Sequence, residues 1–523
     1  MPAELRVRRS LTELQDEFRG GNKKPLEDLM RSWRGVKALG PGDPRSFFVL
    51  GGYHGEPFRG AGWGSSAWWG GYCNHGNILF PTWHRMYLVK VEEALRSIEG
   101  CADVTLPFWD ETSEESLEHG IPWALTDEKF ELDGERIDNP LRSFKFPAAI
   151  RDNINTDDPN YSKPKGYETV RYPLSGLVGT DKDRIATKKH NAQHPQYDEN
   201  VKALNANVIA WLTSAIVVDK KKIGENDVAR KYRDCLIAPN YTVFSNTSSA
   251  AEWNTNLLVG TRPVVPLEQP HNDIHLAVGG FDVPNQPDFS HIAGANGDMG
   301  ENDTAALDPI FYFHHCHIDR LFWLWQNRWG HREDLGDPIW EYPGTNSIDS
   351  QGPTPGIGAN EWLTLDTHLN PFKKSDETPY TSRDCVDIEG QLGYTYGHGS
   401  LTETESAAVA AENAATKVVR ISGVNRAPIR GSFLISAFAR VGGKRVHLGT
   451  HGVLSRWSVQ GCANCQTHLE VKAHFPVDSL DVDESKIEVE IRTRDGVLAA
   501  GEHGAAALAL PHAPRRLFHL EVH

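Results

Sequence analysis

Two sets of three histidines constrain this 523-residue chain more than any other feature. The first set is Tyr53-His54-Gly55, then Cys73-Asn74-His75, then His84. The second is His271-Asn272-Asp273-Ile274-His275, followed by His315. The segment PTWHRMYLVKVEEALRSI has a helical period, with His84, Leu88, Val91, Leu95 and Ile98 on one apolar face. His75 lies nine residues upstream of His84, across Pro81, so a loop and a helix can bring both rings to one point. His-x3-His at 271 and 275 places two imidazoles one turn apart on the same helix face. That helix is expected to begin at Pro270 and to stop at Gly279-Gly280. A long helix follows Asp308-Pro309, with a buried stripe of Phe311, His315, Ile318, Phe322, Trp325 and Trp329. The stripe includes His315 and leaves His314 pointing elsewhere.

Imidazole suits Cu, Zn, Ni or Fe. A di-iron bundle would need inward Glu and Glu-x-x-His motifs, which these sets lack. One triad with an open position would suit a catalytic zinc. Two triads on facing helices favour a dinuclear copper site, but spacing alone leaves both standing. His190 and His194 share the His-x3-His spacing without an apolar face, and are expected in a solvated surface segment.

Composition narrows the class. The formal net charge is −16, from 54 Lys plus Arg against 70 Asp plus Glu, with no long basic block; nucleic acid is not an expected partner. At 39% hydrophobic and 24% charged, the chain is globular. No apolar run of about 18 residues is present, so no membrane span is expected. The N-terminal segment MPAELRVRRSLTELQDEF has no apolar stretch, and the seven cysteines are odd in number and scattered. Both point to a reducing, cytoplasmic setting.

Ser10-x-x-Glu13 predicts a capped first helix. Residues 40–80 read as loop, as do most of 127–200. Residues 398–416 are a low-complexity linker. Beyond them the apolar period becomes two: Leu469, Val471, Ala473 and Phe475; Ile487, Val489 and Ile491; Phe518, Leu520 and Val522. Gly442-Gly443 marks a hairpin turn. The expected domains are a helical unit over 1–397, the linker 398–416, and a β-rich unit over 417–523.

The stretches GYCNHGNILFPTWHRMYL with LPFWDET, and PHNDIHLAVGG with DPIFYFHHCHIDRLFWLW, resemble the two copper-binding signatures of type-3 copper proteins. The similarity is strongest to tyrosinases and catechol oxidases of the fungal kind, over roughly residues 50–330. It extends more weakly to Arg9 and to Tyr394-Thr395-Tyr396. The resemblance implies an antiparallel four-helix bundle housing two copper ions, followed by a smaller β-sandwich-like C-terminal domain. It implies His54, His75 and His84 on one copper, and His271, His275 and His315 on the other. It further implies a Cys73–His75 thioether and an aromatic residue, Phe311, over the second copper. Glu268 and Asn272 would hold the water that takes a phenol's proton. Met86 departs from the Pro usual after the TWHR run, and Leu276 occupies a variable position.

The implied activity is o-hydroxylation of monophenols and oxidation of o-diphenols to o-quinones with O2. A catechol oxidase or o-aminophenol oxidase, or a haemocyanin-like oxygen carrier, is the alternative. The resemblance also implies a C-terminal domain that shields the site, with Leu454 as the inserted side chain. Cys462-x-x-Cys465 would deliver copper; a homo-oligomer is compatible with all of this. Trp83, Trp323 and Trp325 are expected to wall the site.

Overall fold

The computed structural model describes residues 5–55, 71–151, 162–176, 181–258, 260–281, 296–349, 354–402, 417–426, 429, 431–455, 470–477, 480, 486–494, 496–501 and 518–522. Four helices carry most of the histidine sets: α1 (Phe47–Gly55), α2 (Phe80–Arg96), α3 (Glu268–Gly279) and α4 (Ile310–Trp329). Pro81 sits in the first turn of α2, where its missing N–H is harmless. Helix α3 begins two residues before the expected Pro270, which is still in its first turn. Helices α3 and α4 both end on a left-handed glycine, Gly280 at φ 115° and Gly330 at φ 74°. The expected cap at Ser10 forms, its hydroxyl accepting from the Glu13 amide at 3.1 Å, while the Glu13 carboxylate pairs with Arg9.

Residues 40–80, expected as loop, contain α1. FFVLGGYHG has no polar face to set a period, because the helix is buried on nearly every side. Gly55 is required there: a Cβ would lie 2.0 Å from the Asn302 carbonyl oxygen. The polar stretch 127–200 holds a hairpin, Lys129–Leu132 with Glu135–Asp138, the helix Asp181–Asn191 and the start of the helix Tyr197–Thr213. Helix Asp181–Asn191 lacks an apolar stripe but has acids in its first turn and bases in its last, which suits the helix dipole.

The stripe on α4 is buried as expected except at Trp329, which is 43% exposed. The helix is otherwise buried all round from Ile310 to Phe322, so its polar residues need partners inside the protein. Asp319, one turn beyond His315, supplies one anchor. Its carboxylate accepts from Arg85 Nε at 2.6 Å, from Arg8 Nη1 at 3.4 Å, and from the Tyr394 and Tyr396 hydroxyls at 2.6 Å. The strand Arg6–Arg8 pairs in parallel with Tyr394–Tyr396 and delivers Arg8, which lies 3.7 Å over the Tyr394 ring. The terminal arginine of the core is therefore Arg8; Arg9, on the opposite side of the strand, bonds Glu13 and Glu17 at the surface.

After the core come β1 (Val418–Asn425), β2 (Phe433–Val441), β3 (Lys444–Val453), β4 (Glu470–Pro476), β5 (Ile487–Thr493), β6 (Gly496–Gly501) and β7 (His519–Val522). They form two sheets, ordered β4-β1-β7 and β3-β2-β5-β6. The inward residues of both sheets, among them Ile421, Ala473, Phe475, Ile487, Val489 and Ile491, share one apolar cluster. Gly442 and Gly443, at φ 58° and 80°, make the expected two-residue turn between β2 and β3. Ile216, from a hairpin of the helical region, joins this second cluster. Within 398–416, residues 398–402 are tied to the core: the Ser400 amide donates to Asp110 at 2.7 Å and Leu401 is buried. Residues 403–416, Leu469, Cys462 and Cys465 lie outside the described residues. Among the described residues, no helix is long and apolar enough to cross a membrane.

Burial raises the Asp319 carboxyl, but Arg85 and Arg8 more than offset this and hold it below the usual range. Asp319 therefore stabilises the fold fully above the unfolded-state pKa of about 3.9, and that contribution is lost as pH falls through the lower folded value. Replacing Asp319 by Asn leaves two buried guanidinium groups without their shared anion. The expected cost is about 3–5 kcal/mol, measured as a drop in urea midpoint at neutral pH.

Candidate metal centre

Each set closes on itself. In the first, the ring centroids of His54, His75 and His84 are 5.1–5.5 Å apart. In the second, those of His271, His275 and His315 are 4.5–5.5 Å apart. The sets also face each other: His84 stacks on His315 at 4.6 Å, and His75 lies 5.7 Å from His271. All six rings are at most 3% exposed.

Hydrogen bonds aim the rings. His84 Nδ1 donates to the Phe80 carbonyl at 2.8 Å, His275 Nδ1 to Met299 at 2.9 Å, and His54 Nδ1 to Asn302 at 3.2 Å. His271 Nδ1 donates to the Asn272 side-chain oxygen at 2.9 Å. An imidazole whose Nδ1 carries the proton presents Nε2 as a lone-pair donor. In the second set these donors converge: His315 Nε2 is 3.1 Å from His271 Nε2 and 3.2 Å from His275 Nε2. Imidazoles bound at about 2.0–2.1 Å to one ion place their nitrogens about 3 Å apart. His84 Nε2 is buried and, among the described residues, has no hydrogen-bond partner. The donor set thus fits two metal ions held by nitrogen.

Burial, and then the neighbouring imidazoles, push His271 and His315 far below the ordinary histidine range. Burial lowers His84 to about 3. These three rings are neutral at physiological pH, the form that binds a metal.

Phe311 stacks on His315 with centroids 3.8 Å apart and contacts His54 at 4.8 Å, touching both sets. Cys73 Sγ lies within 4.8 Å of a nitrogen of His54 and of His75. Glu268, 2% exposed, is fully engaged: one oxygen accepts from the Gly76 amide at 2.8 Å, the other from the Thr247 amide at 2.8 Å and hydroxyl at 3.0 Å. It therefore ties the loop carrying His75 to α3. Burial raises its pKa, and these donors oppose the rise.

Two expectations are corrected. Among the tryptophans, Trp83 packs on His84 at 4.9 Å, but Trp323 packs on Tyr396 and Trp325 on Phe244, away from the site. Helix α4 passes the centre along its first turns only, so its later tryptophans cannot reach it. His314 does not point away: a nitrogen of its ring comes within 4.8 Å of those of His271, His275 and His315. Its Nδ1 hydrogen-bonds Glu111 Oε1 at 2.6 Å, and the ring stacks on His271. Burial raises Glu111 to about 8 and lowers His314 to about 3, so the pair is neutral. His190 lies on a largely exposed segment, as expected, here the helix Asp181–Asn191; its Nε2 bonds the Pro173 carbonyl at 2.7 Å, and it takes no part in the centre.

The family model "Common central domain of tyrosinase" matches residues 44–328. The chain belongs to the tyrosinase family. A tyrosinase of Hahella sp. is 54% identical over 501 residues, spanning 92% of this chain and 90% of its own. A tyrosinase of Aspergillus oryzae is 46% identical over 493 residues, spanning 89% and 88%. A solved tyrosinase from Burkholderia thailandensis superposes with a TM-score of 0.83 at 53% identity, covering 94% of this chain and 96% of that one. The fold is thus that of a tyrosinase, and the protein is a copper-dependent oxidase with a dinuclear centre.

If Glu111 holds His314 out of the ligand set, His314→Phe will retain two coppers per chain and His315→Phe will not. Metal analysis after dialysis distinguishes them; equal loss in both variants would place His314 among the ligands.

Proposed function

We propose that this chain is a latent tyrosinase that o-hydroxylates monophenols and oxidises o-diphenols to o-quinones. The observation that carries this reading is the cavity that reaches His75 of the first set. His75, Glu268 and Asn272 line it from the core, and His451, Gly452, Val453 and Leu454 from the end of β3 and beyond.

His54, His75 and His84 would hold one copper, and His271, His275 and His315 the other. When bound, the copper pair takes up O2 and supplies the oxidising equivalents. The four ligand-bearing helices, α1 to α4, would be the family's antiparallel four-helix bundle. A Cys73–His75 thioether would remove the rotational freedom of the His75 ring. Phe311, stacked on His315, would meet the aromatic ring of an incoming phenol. A monophenol must give up a proton with a free pKa of about 10. Glu268, its pKa raised by burial, would accept it through a water shared with Asn272. Asn272 Oδ1 is taken by His271, which leaves its amide NH2 as the donor end.

The C-terminal domain would impose latency. Leu454 is 3% exposed and clusters with core residues of the helical region rather than with its own sheets. It would occupy the phenol's place until cleavage within 398–416 or displacement of the domain. Cys462 and Cys465 would pass on Cu(I), for which thiolates are suited. A base at Glu268 favours an enzyme over an oxygen carrier, which needs none.

Two measurements test this. Glu268→Gln should lower tyramine hydroxylation by about 10²–10⁴-fold while keeping catechol oxidation and both coppers. Equal loss on both substrates, with copper retained, overturns the base. Oxygen uptake with catechol should rise on limited proteolysis, and also in the uncleaved Leu454→Gly variant. Full oxygen binding without turnover after cleavage would mark a carrier instead.

A further inference from the structure

We propose that the segment Asp298–Asp303 positions one histidine of each copper set and fastens both to the docked C-terminal sheets, with Ser432 as the positioning residue. The proposal rests on His54 and His275 being ligands, as above.

The segment makes two bonds into the centre. The Met299 carbonyl holds His275 Nδ1, and three residues later the Asn302 carbonyl holds His54 Nδ1. The Asn302 side-chain amide also reaches Cys73 Sγ at 3.8 Å. A short piece of backbone thus touches both sets. It is pressed on two ligand helices at glycines. A Cβ at Gly55 would meet Asn302, and a Cβ at Gly279, the last residue of α3, would lie 2.3 Å from Gly300 Cα. A shift of the segment therefore moves α1 and α3 as well as the two acceptors.

Its other side faces the C-terminal domain. The Ser432 hydroxyl, just before β2, donates to the Gly300 carbonyl at 2.7 Å and accepts from the Ser455 amide at 2.9 Å. The Asn302 amide donates to the Ser455 carbonyl at 3.2 Å. Ser432 and Ser455 are each 2% exposed, so water does not compete for these bonds. Met299, Gly300 and Asn302 alternate between the two sides: carbonyls 299 and 302 face histidines, carbonyl 300 and amide 302 face the shield. Undocking the shield removes partners from the peptide groups next to the histidine acceptors. The shield would then do more than cover the centre: it would hold the copper ligands in register.

Copper release tests this in the full-length, copper-loaded chain. Loss of an outer-shell partner lowers metal affinity by 10–100-fold in other sites, so Ser432→Ala should lose copper to a chelator about tenfold faster than wild type. Ser432→Thr, which keeps the hydroxyl, should restore slow release. Asn226→Ala removes a different core-to-shield contact, Asn226 to His447 at 3.2 Å, and should leave release unchanged. If Ser432→Ala does not fold, Ser432→Cys, similar in size but a weaker donor, replaces it with the same expectation. Wild-type release from Ser432→Ala, or from the Ser432→Cys that replaces it, overturns the proposal, as does equally fast release from Asn226→Ala. A wild-type chain that never binds two coppers would refute the metal assignment instead, before any variant is compared.

Discussion

Everything in this protein is arranged around crowding six imidazoles into a dry interior, where burial disfavours a charged ring. An imidazolium among five other rings would have no anion and no water to stabilise it, and burial drives the second set far below the normal range of histidine. A neutral ring has one N–H, and where that proton sits decides which nitrogen is a ligand. Four of the rings give Nδ1–H to an oxygen, three of them to backbone carbonyls. The helices and loops must therefore be placed accurately enough for their peptide groups to meet these rings. That requirement explains the glycines at 55 and 279, which allow backbones to approach where any side chain would separate them.

The same demand explains the polar anchors far from the copper pair. Helix α4 carries His315 and is buried nearly all round, so its polar residues are satisfied by long-range partners. Asp319 gathers Arg8 and two tyrosines from the two ends of the helical region, and Arg85 from α2. Buried ion networks are weak as a source of net stability but strict about geometry, since removing one member strands the others. Here that strictness sets the height and rotation of the helix that presents His315.

Much of the centre was legible in the sequence because its signals are local. His-x3-His in 271–275, the face of α2 with His84, and Phe311 one turn before His315 all follow from the helical period. What was hidden falls into three kinds. Helix α1 has no polar face, so burial on all sides erased the period that would have revealed it. Arg8 and Arg9 differ only in which side of a short strand each occupies, and this depends on pairing with Tyr394–Tyr396, nearly 400 residues away. The acceptors at Met299 and Asn302 act through the backbone, which no side-chain pattern reports. His314 is a fourth case: consecutive helix residues diverge by about 100°, but a ring is long enough to return to the centre's flank when a buried Glu111 holds it there.

Glu268 shows how one carboxylate can carry both a structural and a chemical duty. A carboxylate offers about four lone-pair directions. Gly76 takes one, and Thr247 takes two through its amide and hydroxyl. These bonds hold the loop bearing His75 and favour the ionised form, while burial favours the protonated form. The carboxylate lines one cavity with His75 and Asn272. A carboxylate held this way cannot swing to a new position as substrate enters. If it is the base proposed above, the water it acts through would be placed by Asn272, whose side-chain oxygen accepts from His271. The proton acceptor and the copper ligands would then be parts of one rigid unit, and a phenol would have to fit that unit as it stands.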